Sequence, residues 1–167
     1  MRIVRNINAV WTKKHIDFVV NNVESYGEIF RSQEEIEQEL QRIENGNPSQ
    51  RCKSPNHCYE LFIEDGSYIG DITLTHRGNE TYELGILVFD KYAGNRNAKT
   101  AIQLFIDLYF NEGIGRRIEA TILVTNPYRK KIRRILLESG FNYDHVNGSY
   151  YTEKSDHRYL NKNDMNG

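Results

Sequence analysis

Three stretches of this chain hold residue types that chemistry needs. The first is the loop Asp90-Lys91-Tyr92-Ala93-Gly94-Asn95-Arg96-Asn97, which leads from an apolar run into a helical pattern opening on the small residues Ala98 and Ala101. Small side chains let a helix start close to a sheet. Its first-turn N–H groups then point back at the loop without intrahelical partners. Those donors, the helix dipole and the charges of Lys91, Arg96 and Lys99 suit a phosphate. Spacing alone leaves that reading level with an ordinary strand-to-helix turn. The second stretch is the run Arg129, Lys130, Lys131, Arg133, Arg134. Such a run is usually a solvated helix face. Yet cations in a first helical turn oppose the dipole by about 0.3–1 kcal/mol each, and a bound anion offsets that. The third is Cys52-Lys53-Ser54-Pro55-Asn56-His57-Cys58. Its spacing matches no zinc knuckle and no second ligand pair follows, so no metal is expected. The two cysteines read as thiols in a loop before a strand, outside any Cys/His nucleophile setting.

Periodicity supplies the elements that would position these residues. Residues 2–7 alternate weakly, as a first strand. Residues 12–23 carry Ile16, Val19, Val20 and Val23 at helical spacing behind Thr12 as N-cap. Residues 32–44 make a second helix, with Ser32 and Glu35 in capping-box relation and Ile36, Leu40 and Ile43 on one stripe. Gly46 and Pro48 end it, and residues 45–57 are a polar loop. Strands are expected over 59–64, 68–75 and 82–89, turning at Asp65-Gly66 and at Arg77-Gly78-Asn79. The apolar run within 84–89 marks a strand buried on both faces.

A helix over 97–111 turns Ala98, Ala101, Ile102, Phe105, Leu108 and Tyr109 inward, and Gly113 and Gly115 stop it. A strand over 117–124 follows, then a helix capped by Asn126, with Pro127 in its first position and Gly140 at its end. Strands over 141–146 and 150–160 and a frayed tail over 161–167 complete the chain. Strand, helix, strand implies a right-handed crossover and a parallel pair. The expected fold class is α/β: a mixed, mainly antiparallel sheet with one parallel βαβ unit and helices on both faces. Residues 1–160 form a single domain.

Hydrophobic residues at 38% and charged residues at 27% fit one globular domain without disorder. A net charge of -1 gives no general attraction to nucleic acid or membrane. No apolar run approaches the roughly 20 residues that span a bilayer. The opening MRIVRNINAVW lacks a signal peptide's apolar stretch, so a cytoplasmic location is expected.

From Tyr82 to Phe141 the sequence resembles the core of the GNAT acetyltransferases, in the branch with the ribosomal-protein N-terminal and spermidine N-acetyltransferases. The marks are Leu84-Gly85, Tyr92, Arg117-Ile118-Glu119-Ala120, Asn126 and Gly140-Phe141, in order and at comparable spacing. Ile69-Gly70-Asp71-Ile72 and the N-terminal helices also stand where that family has them. The resemblance implies a cleft between strands 82–89 and 117–124 holding acetyl-CoA. Pantetheine would pair with the backbone around Ile86, Leu87 and Val88, and the Val88 N–H would face the thioester oxygen. The pyrophosphate would rest on Gly94, Asn95, Arg96, Asn97 and Ala98. Asn126 would bond the pantetheine arm, and Lys99 and Arg129 would meet phosphate charge. The chain departs from the family at Ala93 and Arg96 in the phosphate loop. It also has Leu136 where many members have a proton-donating tyrosine.

The implied reaction is direct acetyl transfer to a primary amine: a peptide N-terminus, a polyamine or another small amine. Alignment supplies most of the rate, and a base helps because alkylamines are charged at neutral pH. Glu83, Glu119, Asp71, His76 and Tyr82 are candidates for it, with Glu83 put forward. Strand alternation sets Glu83 and Tyr82 on opposite faces. Two other readings stay open: a catalytically degenerate CoA-binding protein, and an RNA- or ribosome-binding domain using residues 129–134. A homodimer is compatible with each.

Overall fold

A computed structural model describes residues 1–156. The sheet grows from hairpins whose turns are set by local chemistry. Between β2 (His57–Phe62) and β3 (Tyr68–Gly78), Gly66 takes φ 81 and the Ser67 N–H donates to Asp65 at 2.8 Å. Between β3 and β4 (Thr81–Val88) the turn is Asn79-Glu80, both with positive φ, two residues beyond the expected start. Gly78 therefore ends the strand rather than centring the turn. With β1 (Arg2–Arg5) these strands form an antiparallel meander.

The remaining strands are β5 (Arg117–Ala120), β6 (Asn142–Asp144) and β7 (Ser149–Glu153), and the sheet order is β1-β2-β3-β4-β5-β7-β6. The expected strand over 117–124 is four residues shorter, because both of its neighbours, β4 and β7, leave it by Ala120. β4 and β5 pair in parallel only from Thr81/Arg117 to Glu83/Glu119. The last strand, expected over 150–160, ends at Glu153, because Lys154 to Asp156 turn into a helix. The expected strand end at 160 and the tail over 161–167 lie outside the described residues.

Helices cover both faces. α4 (Asn97–Asn111) matches its expected bounds and buries Ala101, Ile102, Phe105, Ile106, Tyr109 and Phe110 against Leu61, Ile72, Leu74 and Leu84. On the other face lie α1 (Lys13–Asn21), the single turn α2 (Val23–Tyr26) and α3 (Gln33–Glu44). Thr12 and Ser32 cap α1 and α3 as expected, accepting from the His15 and Glu35 N–H groups. Phe18 and Val19 of α1 pack on Phe89 and Leu87.

Two sequence expectations give way. The helix after β5, α5, spans Arg129–Glu138 with Tyr128 at its N-cap; Asn126 instead accepts the Tyr128 N–H at 2.8 Å, closing the turn before the helix. Cys52 and Cys58 are joined in a disulfide rather than being free thiols. The loop turns back through an Asn56 N–H to Lys53 carbonyl bond and brings their Cα atoms to 6.0 Å, a fold-back the spacing did not reveal. Among the described residues no helix is long and apolar enough to cross a membrane, and no cluster could hold a metal.

Candidate active site

The site is made by the parting of β4 from β5. The Phe89 N–H bonds Ile69 of β3 at 2.9 Å, so the alternate N–H groups of Val88 and Ile86 point the other way. β5 has ended by that level, and no strand lies beside them. The gap is a cleft of two joined compartments, of about 320 Å³ and about 360 Å³, which share Ser25, Tyr26, Ile86, Asn126 and Ile132.

The second compartment fits anionic groups. It is lined by Gly94, Arg96, Asn97, Ala98 and Lys99 at the start of α4, and by Tyr128 and Lys131 at the start of α5. Neither helix has a side-chain cap or an acidic residue in its first turn among the described residues. Two positive helix ends without side-chain caps thus converge on one space, with Asp90 as the carboxylate in its lining. Arg96 is the N-cap of α4 at φ 59, ψ 4, the left-handed conformation a glycine takes without strain. Arg96 thus holds the loop in a conformation that glycine takes freely, and Gly94, at φ 91, is a second positive-φ position beside it. Ala93 also lines this compartment. Lys99 is held by Glu138 at 2.7 Å, tying α4 to α5. Lys131 is the basic residue of α5 that lines the cleft, whereas Arg129 and Asn95 are not in its lining.

The first compartment lies on the face shared by Thr73, Thr75, Glu83 and Gly85, which are opposed pairs across β3 and β4. A Cβ on Gly85 would meet the Thr73 hydroxyl oxygen at 2.6 Å, so glycine keeps this floor open. Glu83 is the only carboxylate lining it among the described residues. Its side chain is 24% exposed and accepts from Arg77, through Nε at 2.8 Å and through a second guanidinium nitrogen. Tyr82 faces away as expected, against His57, His76 and Tyr109. Leu136, at the position of the family's tyrosine, is buried in the wall.

The other base candidates are engaged elsewhere. Asp71, 1% exposed, meets His15 at 2.9 Å, Arg51 at 2.6 Å and 3.2 Å, and the Tyr68 hydroxyl at 2.8 Å. Burial alone would raise its pKa, but the hydrogen bonds from His15 and Arg51 outweigh that and hold it below the usual carboxylate range. Glu119 pairs with Arg117 at 2.8 Å, and the His76 ring stacks edge-on with Tyr82.

The residue that sequence reasoning missed is Tyr26. Both Tyr26 and Val88, whose N–H is the donor expected for the thioester oxygen, line the second compartment. Burial, countered in part by the nearby Val88 backbone dipole and reinforced by the charge of Asp90, pushes the Tyr26 pKa up to about 12. No local signal marks it beyond the turn at Gly27, φ 72, which ends α2. Across the cleft, Thr125 donates to the Glu24 carbonyl at 2.8 Å and Asn126 to that of Ser25 at 3.5 Å, fastening α2 over the gap.

The sequence matches the acetyltransferase (GNAT) domain family over residues 11–142. No curated protein shows a significant match. Among solved structures it is similar to spermidine N-acetyltransferase from Vibrio cholerae in complex with CoA and spermine, at 17% identity and TM-score 0.62, over 92% of this chain and 96% of that one. A dodecameric form of the Vibrio cholerae enzyme, in an intermediate state, matches at 18% identity and TM-score 0.60, over 96% of each chain. At such identity the likeness is one of fold.

Proposed function

The chain belongs to the GNAT acetyltransferase family, and from that premise we propose that its cleft binds acetyl-CoA and passes the acetyl group directly to a primary amine. The observation that carries this reading is the parting of β4 from β5, with Val88 and Ile86 N–H groups turned into it above two uncapped helix starts. In this reading the backbone of Ile86, Leu87 and Val88 aligns the pantetheine arm, with the Asn126 side chain beside it. Residues 94–98 receive the pyrophosphate through N–H donors. Arg96 and Lys131 add charge there. Lys99 and Arg129 play at most an outer part, since Lys99 is already paired and Arg129 stands outside the lining.

The acceptor enters over Thr73, Thr75 and Gly85, where Glu83 attracts an alkylammonium and takes its proton. Arg77, itself about half exposed, swings aside for that. A small amine suits a floor with one carboxylate, and polyamines are the first acceptors to try. The expected cytoplasmic location stays part of this proposal; the Cys52–Cys58 bond is the observation that weighs against it.

Thiol release from acetyl-CoA, followed with a polyamine, an amino-terminal peptide and an amino sugar, tests the reading. Turnover with at least one amine is the expected result. Binding without turnover across the panel would favour a degenerate CoA-binding protein, which Leu136 in place of the family's tyrosine already suggests.

A further inference from the structure

We propose that Tyr26 is a second oxyanion donor, acting with the Val88 N–H on the thioester oxygen. The proposal rests on the acetyl-transfer reading above. Tyr26 ends α2, which Thr125 and Asn126 fasten across the cleft. It lines both compartments, at the level where they join. Its ring packs on Phe18 at 5.4 Å, which fixes its direction. Val88 lines the same compartment, near enough for its backbone dipole to act on the Tyr26 hydroxyl. The phenol has a proton to give. An acyl oxygen entering between them accepts from the Val88 N–H and from the phenol.

Acidity decides what Tyr26 does with that proton. A thiol titrates near 8.5, so handing the proton of this phenol, at about 12, to a thiolate is uphill by more than three powers of ten. Tyr26 keeps its proton and lends a hydrogen bond, which is the role suited to charge developing on oxygen. The step balances without it. The amine nitrogen bonds the carbonyl carbon, and the π pair moves to the oxygen between the two donors. The pair then returns, the C–S bond breaks, and the thiolate takes up, through solvent, the proton shed by the nitrogen. Tyr26 therefore supplies a polar group at a position the family's tyrosine, here Leu136, does not occupy.

The test uses the full chain with carbonyl-labelled acetyl-CoA. Calorimetry gives the Kd, and isotope-edited infrared difference spectra give the bound carbonyl stretch, for the wild type, Tyr26→Phe and a protein with 3-fluorotyrosine at position 26. The expected result is a Kd little changed, a stretch at higher frequency in Tyr26→Phe, and one at lower frequency with the stronger fluorophenol donor. With an amine that turns over, Tyr26→Phe lowers kcat about 100- to 1,000-fold and leaves KM nearly unmoved. Should the Phe variant not fold, the fluorotyrosine arm decides alone. One stretch frequency in all three proteins, with acetyl-CoA bound normally, overturns the role of Tyr26 and leaves the coenzyme site standing. Failure of acetyl-CoA to bind the wild type overturns both.

Discussion

The two edges of β4 are built on opposite principles. Along β3 it is paired from Gly70/Val88 to Gly78/Thr81, and the polar groups nearby are satisfied: Asp71 alone is bonded by His15, Arg51 and Tyr68. Along β5 it is paired over three residues and then abandoned. One edge spends its hydrogen bonds on holding α1 and the loop around Arg51 to the sheet. The other turns the Val88 and Ile86 N–H groups and two helix starts toward the cleft.

The largest effect should come from breaking the closed edge. Asp71→Asn leaves the Arg51 charge buried, at 6% side-chain exposure, with no anion against it. The loss should be about 3–5 kcal/mol, or roughly 6–20 °C in Tm for a domain of this size, with acetyl-CoA affinity little changed. The sign with pH follows from a lowered carboxyl pKa. Its contribution is fully present above the unfolded value of about 3.9 and is lost as pH falls through the folded one. The gap in stability between wild type and variant should therefore narrow below about pH 4. A gap independent of pH, or coenzyme affinity that falls with stability, would blur the division between the edges.

The open edge is addressed by Glu83→Gln. It should leave Tm nearly unchanged and lower turnover about 100-fold at neutral pH. The loss should shrink at high pH, where the amine arrives already deprotonated. A uniform loss, or none, in the thiol-release assay removes Glu83 as the base. The smallest effect concerns the loop below. Arg96→Gly relieves a left-handed non-glycine residue, so Tm should rise by a few degrees, for about 1 kcal/mol. Any accompanying loss of coenzyme affinity would measure the guanidinium's own share.

How legible each region was follows the same division. The boundaries of α4 could be read from the sequence because small residues open it, a 3.6-residue period runs through it, and Gly113 and Gly115 follow it. The end of β5 at Ala120 could not, since Thr121 to Val124 have strand composition and stop pairing because β4 departs after Glu119 and β7 begins only opposite Ala120. The Asp71 cluster joins residues 20 and 56 positions away, through Arg51 and His15, and nothing in the local pattern links them. Glu83 was readable from its place on the strand. Tyr26 was not, because its meeting with Val88 depends on how α2 is fastened across the cleft through Thr125 and Asn126. The line of inference from periodicity to fold was thus short, and the line to the site failed where it crossed between distant segments.

The central claim is that the open edge of β4 takes acetyl-CoA, and the midpoint of thermal unfolding tests it most directly. A ligand that binds only the folded state, at about 100 times its Kd, adds roughly 2.7 kcal/mol. At this chain length that is a rise on the order of 5–10 °C. Acetyl-CoA should produce that rise; no shift at millimolar acetyl-CoA would mean that the open edge of β4 does not bind it.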